Sequence, residues 1–344
     1  MAPLLEIDDF RLYFYTRDGV VKAVDGITFT LEEGETLGVV GESGSGKSVT
    51  ALSIMRLVPE PPGKVVSGDI RFKGTSILGL SEKEQQRLRG NRIAMIFQDP
   101  MTSLNPVYRI GQQIAEPLRL HKNLSRKEAW EAAVELLKQV GIPQAEARAR
   151  SYPHEFSGGM RQRAMIAMAL ACGPDILIAD EPTTALDVTI QAQILELMQE
   201  IQQKTRSAII LITHDLGVVA DMADHILVMY AGKAVEYGRA EDVFYDPLHP
   251  YTWGLLESIP RHDAETKQPL TPIKGQPPSL INLPAGCAFS PRCAYARPEC
   301  SRVTPQLTEI EPGHYSACLF AYDREFIAQF ENRVTQSEAS EKVR

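Results

Sequence analysis

No apolar stretch in this sequence is long enough to cross a bilayer. The longest unbroken run, Ala164 to Cys172, has nine residues, where a helical span needs about 18 or more. The start, Met1 to Phe10, carries Glu6, Asp8 and Asp9 and no basic segment of the kind that opens a secretory signal. A cytoplasmic location is therefore expected. Basic charge is also in short supply: 36 Lys and Arg stand against 44 Asp and Glu, a formal charge of −8. Phosphate polymers are gripped by basic faces, so no nucleic-acid partner is expected. Neither an internal repeat nor a low-complexity tract is found. Cysteines number five, four of them between Cys287 and Cys318. In a reducing compartment such a cluster is not a disulfide framework, which leaves metal ligands or plain thiols.

What is present is the composition of a folded globular chain. Hydrophobic residues make up 44% and charged residues 23% of 344 positions, enough for about two domains. Proline marks the boundary: residues 1–240 hold 11 of the 23 prolines, and residues 241–344 hold the other 12. A loop-rich appendage thus follows Tyr237-Gly238-Arg239, and its polar end, Gln336 to Arg344, is expected to fray.

Before that boundary, short apolar runs alternate with helical patterns, the mark of an α/β domain. Thr36–Val40, Ile176–Ala179, Ala208–Ile212 and His225–Met229 read as buried strands. Ser125 with Glu128 forms a capping-box pattern, and Trp130, Ala133, Val134, Leu137 and Val140 follow at helical spacing up to Gly141. Ile190, Ile194, Leu197, Met198 and Ile201 mark a second helix. Residues from about 99 to 160 read as a helical insertion.

Gly41-Glu42-Ser43-Gly44-Ser45-Gly46-Lys47-Ser48 matches G-x-x-x-x-G-K-S, after a strand and before a helical run that starts at Val49. Glycines let successive backbone N–H groups curl around phosphate oxygens, and the helix N-terminus adds favourable partial charge. Lys47 would reach the β- and γ-phosphates of ATP, and Ser48 would hold Mg²⁺. Asp180-Glu181 ends the strand Ile176–Ala179. One carboxylate there can complete the magnesium shell, and the other can orient or deprotonate a water.

Phe156-Ser157-Gly158-Gly159-Met160 resembles the signature sequence of ABC-transporter ATPases, departing from it at Phe156 and Met160. Gln98 in Ile96-Phe97-Gln98-Asp99-Pro100 resembles the Q-loop, Ala185-Leu186-Asp187 the D-loop, and His214 in Thr213-His214-Asp215 the switch histidine. The resemblance implies a P-loop, RecA-like ABC ATPase core over 1–240, with antiparallel β and α-helical subdomains, and a loop-rich extension over 241–344. It implies an adenine-stacking aromatic at Phe14, with Tyr15 and Tyr13 as alternatives. It also implies a head-to-tail ATPase dimer in which the phosphate loop, Asp180 and Glu181 of one copy face Ser157, Gly158 and Gly159 of the other. Glu181 would then be the catalytic base or water-positioning group, with His214 on the γ-phosphate. Gln98 would ligate Mg²⁺ or water beside Ser48 and Asp180.

Met95 to Pro106, Ala179 to Thr189 and His249-Pro250-Tyr251-Thr252 narrow the likeness to ATPase subunits of dipeptide and oligopeptide permeases, of the D-subunit type. That branch implies a sister ATPase subunit, two transmembrane permease subunits contacted through residues about 99–120, and an external substrate-binding protein. The chain would lie at the cytoplasmic face of the membrane and energise import of peptides, nickel or glutathione being alternative cargoes. An ABC ATPase outside transport and a cluster-based redox sensor are the remaining alternatives.

Cys287, Cys293, Cys300 and Cys318 lie in a proline-rich stretch that needs a staple. Four thiolates could supply one through a [4Fe–4S] cluster or a tetrahedral zinc. Zinc sites favour closely spaced C-x2-4-C pairs, absent here. Subunits of the resembling branch carry iron–sulfur at such cysteines, so a [4Fe–4S] cluster is expected, with zinc or unligated thiols as the alternatives.

Overall fold

A computed structural model describes residues 2–184, 186–258, 272–323 and 325–328. The terminus Gln336 to Arg344, expected to fray, and Ala185 of the D-loop segment lie outside the described residues. The strands, in chain order, are β1 (Leu5–Thr16), β2 (Gly19–Leu31), β3 (Thr36–Val40), β4 (Gly63–Phe72), β5 (Thr75–Ser76), β6 (Ile93–Ile96), β7 (Ile176–Asp180), β8 (Ala208–Thr213), β9 (His225–Tyr230), β10 (Lys233–Arg239), β11 (Thr308–Glu311) and β12 (His314–Ser316). The helices are α1 (Lys47–Ile54), α2 (Glu82–Leu88), α3 (Pro100–Ser103), α4 (Ile110–His121), α5 (Arg126–Gln139), α6 (Ala145–Arg148), α7 (Gly158–Leu170), α8 (Val188–Thr205), α9 (Leu216–Met222), α10 (Ala240–Tyr245) and α11 (Pro250–Glu257).

Among the described residues the strands form two sheets. The larger runs β11-β12-β10-β9-β3-β8-β7-β6 and is parallel from β9 to β6. The smaller, β2-β1-β4-β5, is antiparallel. Every residue of β3, β6, β7 and β8 is buried, as expected for parallel strands covered on both faces. Their side chains alternate between two cores. Ile176, Ile178, Ile210 and Ile212 face α1 and the antiparallel sheet, while Leu177, Ala179, Ile209 and Leu211 face the helical layer of α4, α5, α7 and α8. Each large aliphatic side chain so buried stabilises by about 1.5–3 kcal/mol.

The apolar runs read as strands are strands, each within one residue of its expected end. The capping box is formed: Ser125 N donates to Glu128 Oε2 at 2.9 Å, and Glu128 N donates to Ser125 Oγ at 3.3 Å. Strands β1, β2 and β4 are not legible by pattern, because register shifts at Ile7/Phe10 and Leu12/Phe14 break the alternation that would announce them.

Past Arg239 the chain returns to the large sheet. β12 pairs antiparallel with β10, Glu236 opposite Ser316 and Tyr237 opposite Tyr315. Glu236 is fully buried, and it accepts from Leu248 N, His249 N and Thr252 Oγ1 while His314 Nε2 lies 2.9 Å from its Oε1. A buried carboxylate is tolerated only when saturated in this way. Burial pushes the pKa of His249 down to about 3, so its ring is neutral and Nδ1 accepts from Tyr251 N at 3.0 Å.

At the start of β9, His225 Nδ1 lies 2.6 Å from Glu35 Oε1. That hydrogen bond, more than burial opposes it, raises the pKa of His225 above its ordinary value. The charged pair therefore adds stability that is complete below the unfolded pKa of about 6.5 and is lost as pH rises through the higher folded value. His225→Gln should lower the thermal midpoint more at pH 6 than at pH 9. An equal loss at both, in thermal melts of wild type and variant, would show that the ring is not charged when folded.

Candidate functional site

β3 runs directly into the glycine loop. Gly41, Gly44 and Gly46 have φ of 146°, 78° and 106°. Two of them have a second reason to lack a side chain. A Cβ on Gly41 would come 2.2 Å from Met229 O, and one on Gly46 would come 2.4 Å from Ala23 O. The loop is therefore pressed between the middle of β2 and the end of β9 before α1 begins at Lys47. Lys47 is buried, and its Nζ donates to Gly41 O at 2.7 Å and Glu42 O at 3.0 Å. Burial pushes its pKa down, against the pull of Glu181, Asp180 and Glu42.

The loop fits a nucleotide phosphate. Ser45 Oγ is buried in it without a hydrogen-bond partner, a state that costs about 1–3 kcal/mol and that an incoming acceptor oxygen relieves. Mg²⁺ is also matched by the donor set. Ser48 Oγ donates to Asp180 Oδ1 at 3.1 Å, placing a hydroxyl and a carboxylate side by side as hard-oxygen ligands. Burial raises the pKa of Asp180, and neighbouring Glu181 adds to the effect while Ser48 and Lys47 oppose it. A divalent cation would hold that carboxyl ionised.

Glu181 follows the end of β7 with φ of 47°, a left-handed conformation that costs a non-glycine residue about 1–2 kcal/mol. Its N donates to Ile212 O of β8 at 2.8 Å, which fixes the turn. Three side chains from different segments then meet on its carboxylate. Gln98 Nε2 donates to Oε2 at 2.7 Å, Thr184 Oγ1 donates to the same oxygen at 2.9 Å, and His214 Nδ1 lies 3.5 Å from Oε1. Burial alone would raise the pKa of Glu181, but these partners outweigh it, so the group sits below the ordinary carboxylate value. It is an anionic acceptor at neutral pH. Gln98, expected beside Ser48 and Asp180, has its amide on Glu181 instead.

The signature residues occupy another surface. Ser157 caps α7, its Oγ accepting from Met160 N at 3.4 Å, and Ser157 and Gly158 are exposed. A Cβ on Gly159 would come 3.0 Å from Ile190 Cγ2 of α8. Asp187 caps that same helix, its Oδ1 accepting from Ile190 N at 3.0 Å. Of the three aromatics in β1, Tyr13 is committed to Asp25, donating to Oδ1 at 2.6 Å, while Tyr15 is exposed and Phe14 is half-buried against the apolar core opposite Val21 and Gly63. Thr184 was not singled out by sequence reasoning, although it lies three positions after Glu181 in a quoted motif.

The expectation of a metal in the extension is corrected. Cys287, Cys293, Cys300 and Cys318 line one small cleft with His249, Phe289 and Phe320, and all are free thiols. Yet among the described residues no group of three or more His, Cys, Asp or Glu side chains is placed to hold a metal ion. Neither the [4Fe–4S] cluster nor zinc is supported. The staple that the loop requires is of another kind. Trp253, Tyr295 and Phe326 pack edge to face or tilted at 5.1–5.9 Å between centroids, Arg297 lies 4.1 Å over the Phe320 ring, and Cys287 N donates to Cys300 O at 2.8 Å. Burial pushes Cys293 up to about 11 and Cys318 up to about 12, so these thiols stay protonated and pack as small apolar groups.

Two family models match the chain: ABC transporter over residues 24–184, and oligopeptide/dipeptide transporter, C-terminal region, over residues 235–300. Among curated relatives, the oligopeptide transport ATP-binding protein OppD of Bacillus subtilis is 55% identical over 91% of this chain and 87% of its own length. OppD of Salmonella typhimurium is 56% identical over 92% and 93%. Among solved structures, the dimeric post-hydrolysis state of the ATP-binding cassette MJ0796 bound to ADP and Pi superposes with a TM-score of 0.62 at 25% identity, covering 69% of this chain and 98% of that one. With the phosphate loop, the carboxylate pair and the signature helix in the places just described, the chain belongs to the ABC-transporter ATP-binding proteins of the oligopeptide transport, OppD, family.

Proposed function

We propose that this chain is the ATP-hydrolysing, energy-coupling subunit of an importer for oligopeptides. The observation that carries the reading is the meeting of Lys47, Ser48, Asp180, Glu181, Gln98 and His214 at the end of one phosphate loop. Lys47 exchanges its two loop carbonyls for phosphate oxygens of ATP, and Ser45 Oγ gains its missing acceptor. Ser48 and Asp180 would hold Mg²⁺, which would supply charge neutralisation for the phosphates. Phosphoryl transfer asks mainly for positioning. Glu181, kept anionic by its partners, suits the role of acceptor that orients the attacking water, with His214 on the γ-phosphate side. Its Oε2 is taken by Gln98 and Thr184, so Gln98 must yield for water to bind there. That exchange would let Gln98 report nucleotide state. Phe14 would stack on adenine.

Ser157, Gly158 and Gly159 open a helix of thirteen residues at an exposed N-terminus, an anion site that this chain's own phosphates do not need. It suits a second ATPase subunit, with Asp187 beside it at the junction. Just beyond Gln98, Val107 and Tyr108 are exposed large apolar residues on the helical layer, and this surface suits the membrane permease subunits. Among the described residues no helix is long and apolar enough to cross a membrane itself. As a subunit of such an importer the chain would lie at the cytoplasmic face, beneath the permease subunits, with an external binding protein supplying peptide. The cassette would span 1–240, with its helical part over about 99–160, and the extension 241–344. The redox-sensor alternative loses its ground with the metal.

Glu181→Gln should bind ATP as wild type does and release phosphate at least about 100-fold more slowly. Near-normal turnover in a phosphate-release assay would remove Glu181 from the chemistry. Lys47→Ala should abolish uptake of a labelled oligopeptide by cells while the chain stays membrane-associated. Retained uptake in cells free of redundant transporters would remove Lys47 from energy coupling, whereas a wild type that takes up no oligopeptide there would direct the assignment to another cargo, such as nickel or glutathione.

A further inference from the structure

Glu42 is the second residue of the phosphate loop, and both its carboxylate and its backbone are held from the C-terminal extension. Arg292 makes a two-pronged contact: Nη2 donates to Glu42 Oε1 at 2.9 Å and Nη1 donates to Oε2 at 2.5 Å. The same guanidinium donates through Nε to Lys274 O at 3.0 Å, and Nη1 reaches Tyr230 Oη at 3.3 Å. Its side chain is only 5% exposed. Independently, Glu42 N donates to Tyr251 Oη at 2.8 Å, and Tyr251 is fully buried among Tyr230 and Phe289. The partners in the first contact are 250 positions apart in sequence.

We propose that Arg292, with Tyr251, is a positioning residue for ATP: it holds the phosphate loop in its phosphate-receiving shape and cancels the charge of Glu42. The inference rests on reading Gly41–Ser48 as the nucleotide site. Two physical demands support it. The loop's internal brace is Lys47, which grips Gly41 O and Glu42 O and must release them to meet phosphate. A loop that gives up its own brace on binding needs an outside one. Second, an unpaired carboxylate at position 42 would stand in the same loop that receives the most anionic part of the nucleotide, and like charges at such range oppose binding. The bidentate Arg292 fork removes that opposition in fixed geometry.

The test is steady-state ATP hydrolysis by the assembled transporter carrying the full chain, with thermal melts alongside. Arg292→Gln should raise KM for ATP about tenfold with kcat nearly unchanged, the pattern of lost uniform binding. Adding Glu42→Gln to that variant should recover the part of the loss that came from the unpaired carboxylate and leave the part that came from the lost brace. If Arg292→Gln does not fold, Tyr251→Phe is the second variant, with KM raised and kcat unchanged. Unchanged KM with a lowered thermal midpoint would reduce the contact to packing and overturn the proposal. Lys47→Ala separates the two readings. If it loses ATP and Arg292→Gln does not, only the positioning role fails; if it keeps ATP, the nucleotide site itself is misassigned and both fall.

Discussion

The parallel pairing of β3, β7 and β8 sets Val40 opposite Thr213 and Asp180 opposite Ile212, so three strand ends reach one edge of the sheet together. From that edge leave the glycine loop, the Asp180-Glu181 pair and His214. The register is held one residue further by Glu181 N on Ile212 O. A slip of one position would carry Asp180 about 3.3 Å along the strand and turn its side chain to the opposite face. Ser48 and Asp180 would no longer meet. The alternation of Ile176, Ile178 and Ile210 to one core and Leu177, Ala179 and Leu211 to the other forbids that slip, because it would exchange two differently shaped apolar surfaces. Packing thus fixes the distance on which the chemistry depends.

Much of this is legible in the sequence. Parallel strands covered on both faces appear as unbroken apolar runs, and Ile176–Ala179 and Ala208–Ile212 are such runs. A capping box is a local contract between two residues three positions apart, and Ser125 with Glu128 fulfils it. The phosphate loop is legible for the same reason: its shape is dictated by glycines within eight positions. What was hidden depends on distant chain segments or broken periodicity. β1 and β4 carry bulges that spoil alternation. Gln98 and Glu181 lie 83 positions apart, and only the pairing of β6 with β7 brings them together. The cysteines are a case where spacing and structure part. Their spacing was suggestive, and the need for a staple was real, but rings and a guanidinium fill the role, among them Trp253, Tyr295, Phe326 and Arg297.

Charge in this chain is placed with some economy of groups. Glu236 is fully buried yet saturated by two backbone N–H groups, Thr252 and His314, so it acts as a knot between β10, α11 and β12. Glu181 is anionic because hydrogen bonds outweigh its burial. Asp180 is shifted the other way, for want of enough partners. Two adjacent carboxylates are therefore differentiated by their surroundings: one ready to accept a hydrogen bond from water, the other waiting for a cation.

The pairing of β12 with β10 bears on whether the cassette can stand without its tail. A segment rich in proline and turns looks like an appendix that could be cut away without consequence. Here it supplies the outer strands of the central sheet. A chain ending at Arg239 would present β10 as a bare edge, with unsatisfied backbone groups and the carboxylate of Glu236 stripped of its donors, a surface prone to adhere to other chains. The tail is thus part of the sheet's edge, and its removal would expose β10 unless another strand took the place of β12.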